Sequence, residues 1–308
     1  MKISDSITKL LRVGRPQFLI SGLALFVFGA LLAVRFGAPF SLSRLILGYL
    51  VILPAQFSVH YSNDYFDVAV DRLGGATPFS GGSGVLLEHP ELSKPVMWIA
   101  VALIVCSLGI GLVFLYSYGY PFWMFGFVVI GNLLGWCYSA PPYRFSSRGL
   151  GEPAFTFIGG VLIPGMGYLV MKGPLDLAGV FILFPLVLYG LASILSVEIP
   201  DVEADRLGDK RTWLVRKGRG FGFTLVGTCL LGATVYFFIL PSLSIGHVPL
   251  DFHILGLLSL LPLSAGMVGL IRKPLRREPA TRLAIWTVLT LVIFSILADG
   301  YLIFLVIH

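Results

Sequence analysis

DVAVDRLG, residues 67–74, returns almost unchanged as DVEADRLG, residues 201–208, with six of the eight positions identical at an offset of 134 residues. Asp67 thus corresponds to Asp201, Asp71 to Asp205, Arg72 to Arg206 and Gly74 to Gly208. On a helix turning about 100° per residue, Asn63, Asp67 and Asp71 fall at about 0°, 40° and 80°, with Asp64 at about 100°, so the four share one face. Asp201 and Asp205 repeat the spacing. Carboxylates so crowded repel one another unless cations lie between them, and hard oxygen donors of this kind suit Mg²⁺. A pair of solvated helix ends is the plain alternative. The repeat and the apolar sequence around it argue against that.

Away from the repeats, 56% of the 308 residues are hydrophobic and only 12% are charged, against about 25% charged in soluble domains. The composition is that of a polytopic membrane protein. A net charge of +6 does not indicate nucleic acid, because the basic residues sit in short loops beside apolar runs, where membrane topology accounts for them. Cys106, Cys137 and Cys229 all lie inside apolar runs without metal-like spacing, so no disulfide is expected. The run that follows Arg15 has no A-x-A cleavage pattern before Arg35, so it is expected to stay as a helix.

A spanning helix needs about 20 apolar residues. On that rule the spans fall near residues 17–36, 44–62, 96–117, 120–138, 153–171, 178–198, 221–241, 251–271 and 283–307. With a cytoplasmic amino terminus, only Arg35, Arg44 and Lys172 of the 22 Lys and Arg residues fall outside, which sets the orientation by the positive-inside rule. Both acidic repeats then sit at cytoplasmic ends of even-numbered spans, the second and the sixth. The expected fold is an all-α membrane bundle of about nine transmembrane helices, with pseudo-symmetric halves, a shared polar mouth and one membrane-embedded domain over residues 1–308.

The longest polar connection, Gly74 to Lys94, contains GGATPFSGGSG. Glycine-rich backbone can present N–H groups to phosphate, but the GK[ST] of a P-loop is missing and a plain linker fits equally. YSAPPYRFSSR, from Tyr138 to Arg148, ends the fourth span. It reads either as a helix stop with positive-inside arginines or as part of a phosphate-binding mouth. KRTWLVRKGR, from Lys210 to Arg219, suits topology alone or attraction of phosphate and anionic lipid. RKPLRREPATR is assigned to topology. His60 is read as a packed residue rather than a ligand, and Asp299, inside the ninth span, has no assigned role.

Two carboxylate clusters across a membrane-embedded mouth can hold two Mg²⁺ ions, and two such ions clamp a diphosphate as its charge grows. Arginines nearby would take the remaining phosphate oxygens. An isoprenoid tail would find an apolar groove in the bundle, and an allylic cation benefits from a dry, aromatic-walled cavity.

NDYFDVAVD, Asn63 to Asp71, resembles the first signature of the UbiA superfamily of intramembrane prenyltransferases, NDxxDxxxD. DVEAD, Asp201 to Asp205, is similar to its second, DxxxD. YSAPP, Tyr138 to Pro142, resembles a third recurrent stretch, and Arg15-Pro16 the family's entry. The resemblance covers essentially the whole chain and implies a nine-helix bundle. It also implies Mg²⁺-dependent transfer of a prenyl group from a prenyl diphosphate to an acceptor, usually an aromatic quinone precursor. Carried over residue by residue, Asn63, Asp67, Asp71, Asp201 and Asp205 would hold the Mg²⁺-diphosphate, and Asp64 belongs to the same signature. Arg15, Tyr138 and Arg144 would line the site. NDYFD, the GGSG loop and DKRT look most like the dihydroxynaphthoate (MenA-type) branch of menaquinone synthesis, while hydroxybenzoate, phenazine-type and glycerophosphate acceptors use similar motifs.

Two other classes compete. A transporter of anionic solute predicts polar residues continuing to the outer face, whereas the outer loops at Ser117 to Tyr120 and Pro241 to Pro249 are short and nearly uncharged. A CDP-alcohol phosphotransferase requires a long DGxxAR…GxxxDxxxD motif, which the chain lacks.

Overall fold

The computed structural model describes residues 3–74, 77–243 and 250–307, and every regular element among them is helical. In chain order the α-helices are α1 (Ile3–Val13), α2 (Gln17–Arg35), α3 (Leu42–Asp71), α4 (Val85–Glu88), α5 (Ser93–Tyr118), α6 (Phe125–Ser139) and α7 (Phe145–Arg148). They continue as α8 (Gly151–Phe157), α9 (Ile163–Lys172), α10 (Leu177–Glu198), α11 (Val202–Leu207), α12 (Trp213–Ile239), α13 (Phe252–Arg272) and α14 (Arg277–Ile307). Nine stretches among the described residues are long and apolar enough to cross a membrane: α2, α3, α5, α6, α8 with α9, α10 with α11, α12, α13 and α14. They correspond one for one to the apolar runs of the sequence. Of the outer connection expected at Pro241 to Pro249, residues 244–249 lie outside the described residues.

Two boundaries, those of α3 and α12, shift far from the hydropathy reading and one further helix appears, each for a local reason. α3 continues past residue 62 to Asp71, making a helix of 30 residues, because no proline or glycine interrupts it after Pro54 and its polar last turns face the site rather than lipid. α12 begins at Trp213 because Thr212 caps it, its hydroxyl accepting from the Val215 N–H. α1 is a helix that hydropathy does not predict. It is amphipathic, with Ile7 and Leu11 exposed one turn apart, and its charges Asp5, Lys9 and Arg12 hide it from any count of apolar residues.

Within a bilayer, helices gain little from burying apolar surface against one another, so close backbone approach and internal hydrogen bonds hold them together. α2 and α9 touch through glycine on both sides. A Cβ on Gly29 would lie 1.8 Å from the Pro164 carbonyl oxygen, and one on Gly167 would lie 1.9 Å from that of Phe26. α3, α5 and α6 share a polar ladder in which Ser107 donates to the Val51 carbonyl and Asn132 donates to Ser107. Tyr189, Phe237 and Phe294 interlock α10, α12 and α14, with ring centroids 5.0–6.5 Å apart. Large side chains such as Trp98, Val105 and Ile296 remain on the outside, as lipid-facing positions require.

The three cations expected at the far end are all there. Arg35 donates to the Leu305 carbonyl, Arg44 to that of Met171, and Lys172 pairs with Asp176 at 2.7 Å.

The repeat offset of 134 appears directly in space. Gly74 packs on Ala204, so closely that a Cβ on the glycine would meet it at 2.9 Å, and Gly208 packs on Val70, where the same addition would meet it at 2.8 Å. Each glycine thus abuts the other half's counterpart of the same residue, and larger side chains at either position would push the two acidic ends apart.

Candidate active site

α3 delivers Asn63, Asp64, Asp67 and Asp71 on its last turns, as the spacing predicts. The second repeat is built differently. Pro200 has no N–H to continue α10, so a tight turn over Ile199–Asp201 intervenes and Asp201 sits ahead of α11 rather than on a continuous helix. The expected identical geometry of the two repeats is therefore corrected: Asp205 lies on α11, while Asp201 is on the tight turn that precedes it.

Lys210 joins the halves. Its ammonium donates to Asp67 at 3.1 Å and lies 3.4 Å from Asp205, in a position fixed by the chain on both sides. The Lys210 N–H donates to the Asp205 carbonyl and the Arg211 N–H to that of Ser147. Burial alone would push the Lys210 pKa down, but Asp67 and Asp205 beside it hold it well above the ordinary lysine value. A cation is thus present between the two carboxylate groups, as their mutual repulsion demands.

The glycine-rich segment covers the mouth. Ser80 donates to Asp201 at 3.1 Å. The Ser83 N–H donates to both oxygens of Asp64 at 3.1 and 3.2 Å, and its hydroxyl adds a short bond. Between them Gly82 has φ 68, and a Cβ there would come within 2.2 Å of the Asp71 carboxylate, so only glycine fits. Gln17 holds the near side through the Pro78 carbonyl.

Arg15 donates to Asp64 at 3.2 Å. Ser139, within YSAPP, donates to the Asn63 amide oxygen at 2.7 Å and ties that stretch to the first repeat. Tyr138 lies within electrostatic range of Glu198, Glu152, Asp67 and Asp205. Arg144 departs from expectation: it is exposed on the turn with φ 44, and its side chain makes no hydrogen bond or ion pair among the described residues. His60 stacks on Phe18 with centroids 5.2 Å apart, in keeping with the packed reading. Glu203, on α11, pairs with the buried Arg219.

Several groups at the site are not singled out by the sequence. Ser80 and Ser83 lie in a segment whose composition equally suits a linker, and Lys210 in a run that topology alone explains. Glu152 and Glu198 do carry a signal, since acids inside apolar runs are costly and rarely idle. Glu152 is fully buried, with one oxygen accepting from the Trp213 N–H and the other without a partner; Glu198 also has one oxygen unpartnered.

The donors are carboxylate and amide oxygens, the set a hard divalent cation takes. Among the described residues no three His, Cys, Asp or Glu side chains close a metal cage. Two turns above Asn63 on α3, Gln56 enters an apolar cleft of about 70 Å³ shared with α6 and α9 and walled by Ile52, Phe127 and Met166.

A membrane helical bundle whose halves each bring a DxxxD end to one covered mouth is the architecture of an intramembrane prenyl-transferring enzyme. The sequence model of the UbiA prenyltransferase family matches residues 23–289, and the chain belongs to that family. No match to a curated protein sequence was found. Among solved structures, a UbiA homolog from Archaeoglobus fulgidus bound to GPP and Mg²⁺ is 16% identical with a TM-score of 0.65, covering 95% of this chain and 99% of that one. A digeranylgeranylglyceryl phosphate synthase is 15% identical, with a TM-score of 0.62 and the same coverage. The apo UbiA homolog from Aeropyrum pernix K1 is 14% identical with a TM-score of 0.62, covering 91% and 98%.

Proposed function

We propose that this chain, acting as one domain over residues 1–308, transfers a prenyl group from a prenyl diphosphate to an aromatic quinone precursor in the cytoplasmic membrane, with the mouth facing the cytoplasm. The observation that carries this reading is the bridge from Asp67 through Lys210 to Asp205, which unites both acidic repeats under one loop. Mg²⁺, when bound, neutralises the diphosphate as the bond to the prenyl carbon breaks. Asp67, Asp71, Asp201 and Asp205 would hold two such ions between them, with Asn63 beside them. Asp64 keeps Arg15 and Ser83 in place at the rim. Lys210 and Arg15 supply fixed positive charge toward the departing diphosphate, at positions set before the reaction begins. Tyr138 would line the inner side, and Arg144 would approach from the exposed turn only as substrate docks. The segment from Thr77 to Gly84 keeps water from the cation formed as diphosphate leaves.

A dihydroxynaphthoate-like acceptor, and hence a place in menaquinone synthesis, is favoured by the NDYFD, GGSG and DKRT stretches. The archaeal structure bound to GPP and Mg²⁺ supports the donor and the metal. Purified protein incubated with Mg²⁺, labelled prenyl diphosphate and a panel of naphthoate, hydroxybenzoate, phenazine-type and glycerophosphate acceptors should give a prenylated naphthoate, identified by mass. Product from the glycerophosphate alone would overturn the acceptor assignment. Solute uptake into sealed vesicles without diphosphate release would overturn the reaction.

A further inference from the structure

A second charged cavity lies outside the carboxylate mouth. It measures about 450 Å³, opens outward, and is bordered by the end of α1, the start of α2 and the glycine-rich segment. None of Asp67, Asp71, Asp201 or Asp205 lines it, and no acidic side chain does. Its cations are Arg12 and Arg15, and its hydroxyls are Thr8, Thr77 and Ser83. Arg12 is exposed and makes no hydrogen bond or ion pair among the described residues. Arg15 uses one terminal nitrogen on Asp64, while its Nε is buried without a partner. Ser83 spends its hydroxyl on Asp64 and Thr77 pairs with Ser80, so the receptor for a tetrahedral oxyanion is the pair of guanidinium groups, Arg12 uncommitted and Arg15 with one arm on Asp64.

The depth of the cavity says where such an anion comes from. Gln17, the first residue of the first membrane-crossing helix, forms part of its wall. Leu11 both lines it and stands 61% exposed beside Ile7 on the apolar face of α1. α1 therefore lies along the membrane surface, and the cavity opens at the level where phospholipid phosphates are densest, next to basic residues that attract them.

We propose that this cavity is a phosphate-ester site that adjoins the diphosphate mouth, shares Arg15 with it and adds Arg12, and that it seats the headgroup of an anionic phospholipid between the two arginines. Its inner wall is the covering segment itself, through Thr77, Gly82 and Ser83, so a bound headgroup braces the cover from the membrane side.

The test uses the full chain and an Arg12→Gln variant, both reconstituted in phosphatidylcholine nanodiscs doped with phosphatidylglycerol. Native mass spectrometry reads the phosphatidylglycerol retained, and in parallel lipid-stripped protein is titrated calorimetrically with inorganic phosphate. The wild type should retain phosphatidylglycerol about tenfold more strongly than Arg12→Gln, the effect of losing one charge-assisted hydrogen bond. Affinity for prenyl diphosphate should be the same in both. Arg12-dependent binding of inorganic phosphate without lipid retention assigns the same chemistry to a free anion and overturns the lipid headgroup as its source. Equal retention in both proteins together with no Arg12-dependent phosphate binding overturns the site. A loss of prenyl diphosphate affinity in Arg12→Gln places Arg12 in the mouth itself and overturns the adjoining site.

Discussion

Lys210 places its ammonium 3.1 Å from the carboxylate of Asp67, a residue 143 positions earlier in the chain. Lys210→Met keeps the length and removes the charge, leaving Asp67 and Asp205 facing each other. Breaking a buried pair costs about 3–5 kcal/mol, so the variant should melt several degrees lower in EDTA and regain most of the loss in Mg²⁺. An equal melting temperature for variant and wild type in EDTA would show that the bridge does not matter. Since the folded pKa of Lys210 is raised, its stabilisation is complete below the unfolded value of about 10.4 and fades only as pH rises through the folded one. The EDTA melting difference should therefore be the same at pH 7 and pH 9.

Each of Asp67→Asn, Asp71→Asn, Asp201→Asn and Asp205→Asn should lower turnover by roughly two orders of magnitude or more, since each removes a hard anionic donor while keeping the shape. Membrane insertion should be intact. Full prenyl transfer by Asp67→Asn or Asp205→Asn would refute the shared clamp.

Gly82→Ala should open the cover. The added Cβ collides with Asp71, and a non-glycine residue at φ 68 costs about 1–2 kcal/mol. Limited proteolysis should cut the variant within Thr77–Gly84 faster than wild type, and turnover should fall about tenfold. An unchanged cleavage rate with Mg²⁺ and a prenyl diphosphate analogue present would count against a closing role.

Glu203 offers a control on the carboxylate argument. Glu203→Gln should leave turnover within about twofold, because its carboxylate pairs with Arg219. It is not structurally silent, however. Arg219 depends on it and also holds the Ile199 and Leu275 carbonyls. A lower melting temperature with near-normal activity is the expected pattern, and a hundredfold loss of activity would place Glu203 in the clamp.

Orientation can be read with single cysteines. A probe belongs at Leu73, 48% exposed beside the first repeat, with Pro174 as the opposite-end control. In a background where Cys106, Cys137 and Cys229 are replaced by serine, an impermeant reagent should label Leu73→Cys from the cytoplasmic side and Pro174→Cys from the other. The reverse pattern would invert the topology.

The parts legible in the sequence are those with a period or a repeat. The apolar runs mark the spanning helices because a bilayer has a fixed thickness, and the duplicated octapeptide brings Asp67, Asp71, Asp201 and Asp205 to one mouth. Contacts made across the chain leave no such trace. Nothing in KRTWLVRKGR distinguishes Lys210, which turns inward, from Arg211 or Arg216, because the choice depends on how Arg211 docks on Ser147. The tight turn at Pro200 breaks the symmetry that the repeat suggests. Arg144 belongs to the site by resemblance, yet the turn that carries it leaves it in solvent.

Ser80 and the carboxylate it caps, Asp201, are separated by 121 residues, and this orders events during synthesis. When the ribosome has made only the first half, the covering segment can reach Asp64 and Asp71 but has no far-side anchor. The shelter for a reactive allylic cation is therefore complete only after the sixth span has been threaded into the bilayer. A nascent half-chain that captured a prenyl diphosphate would hold it uncovered, in reach of water.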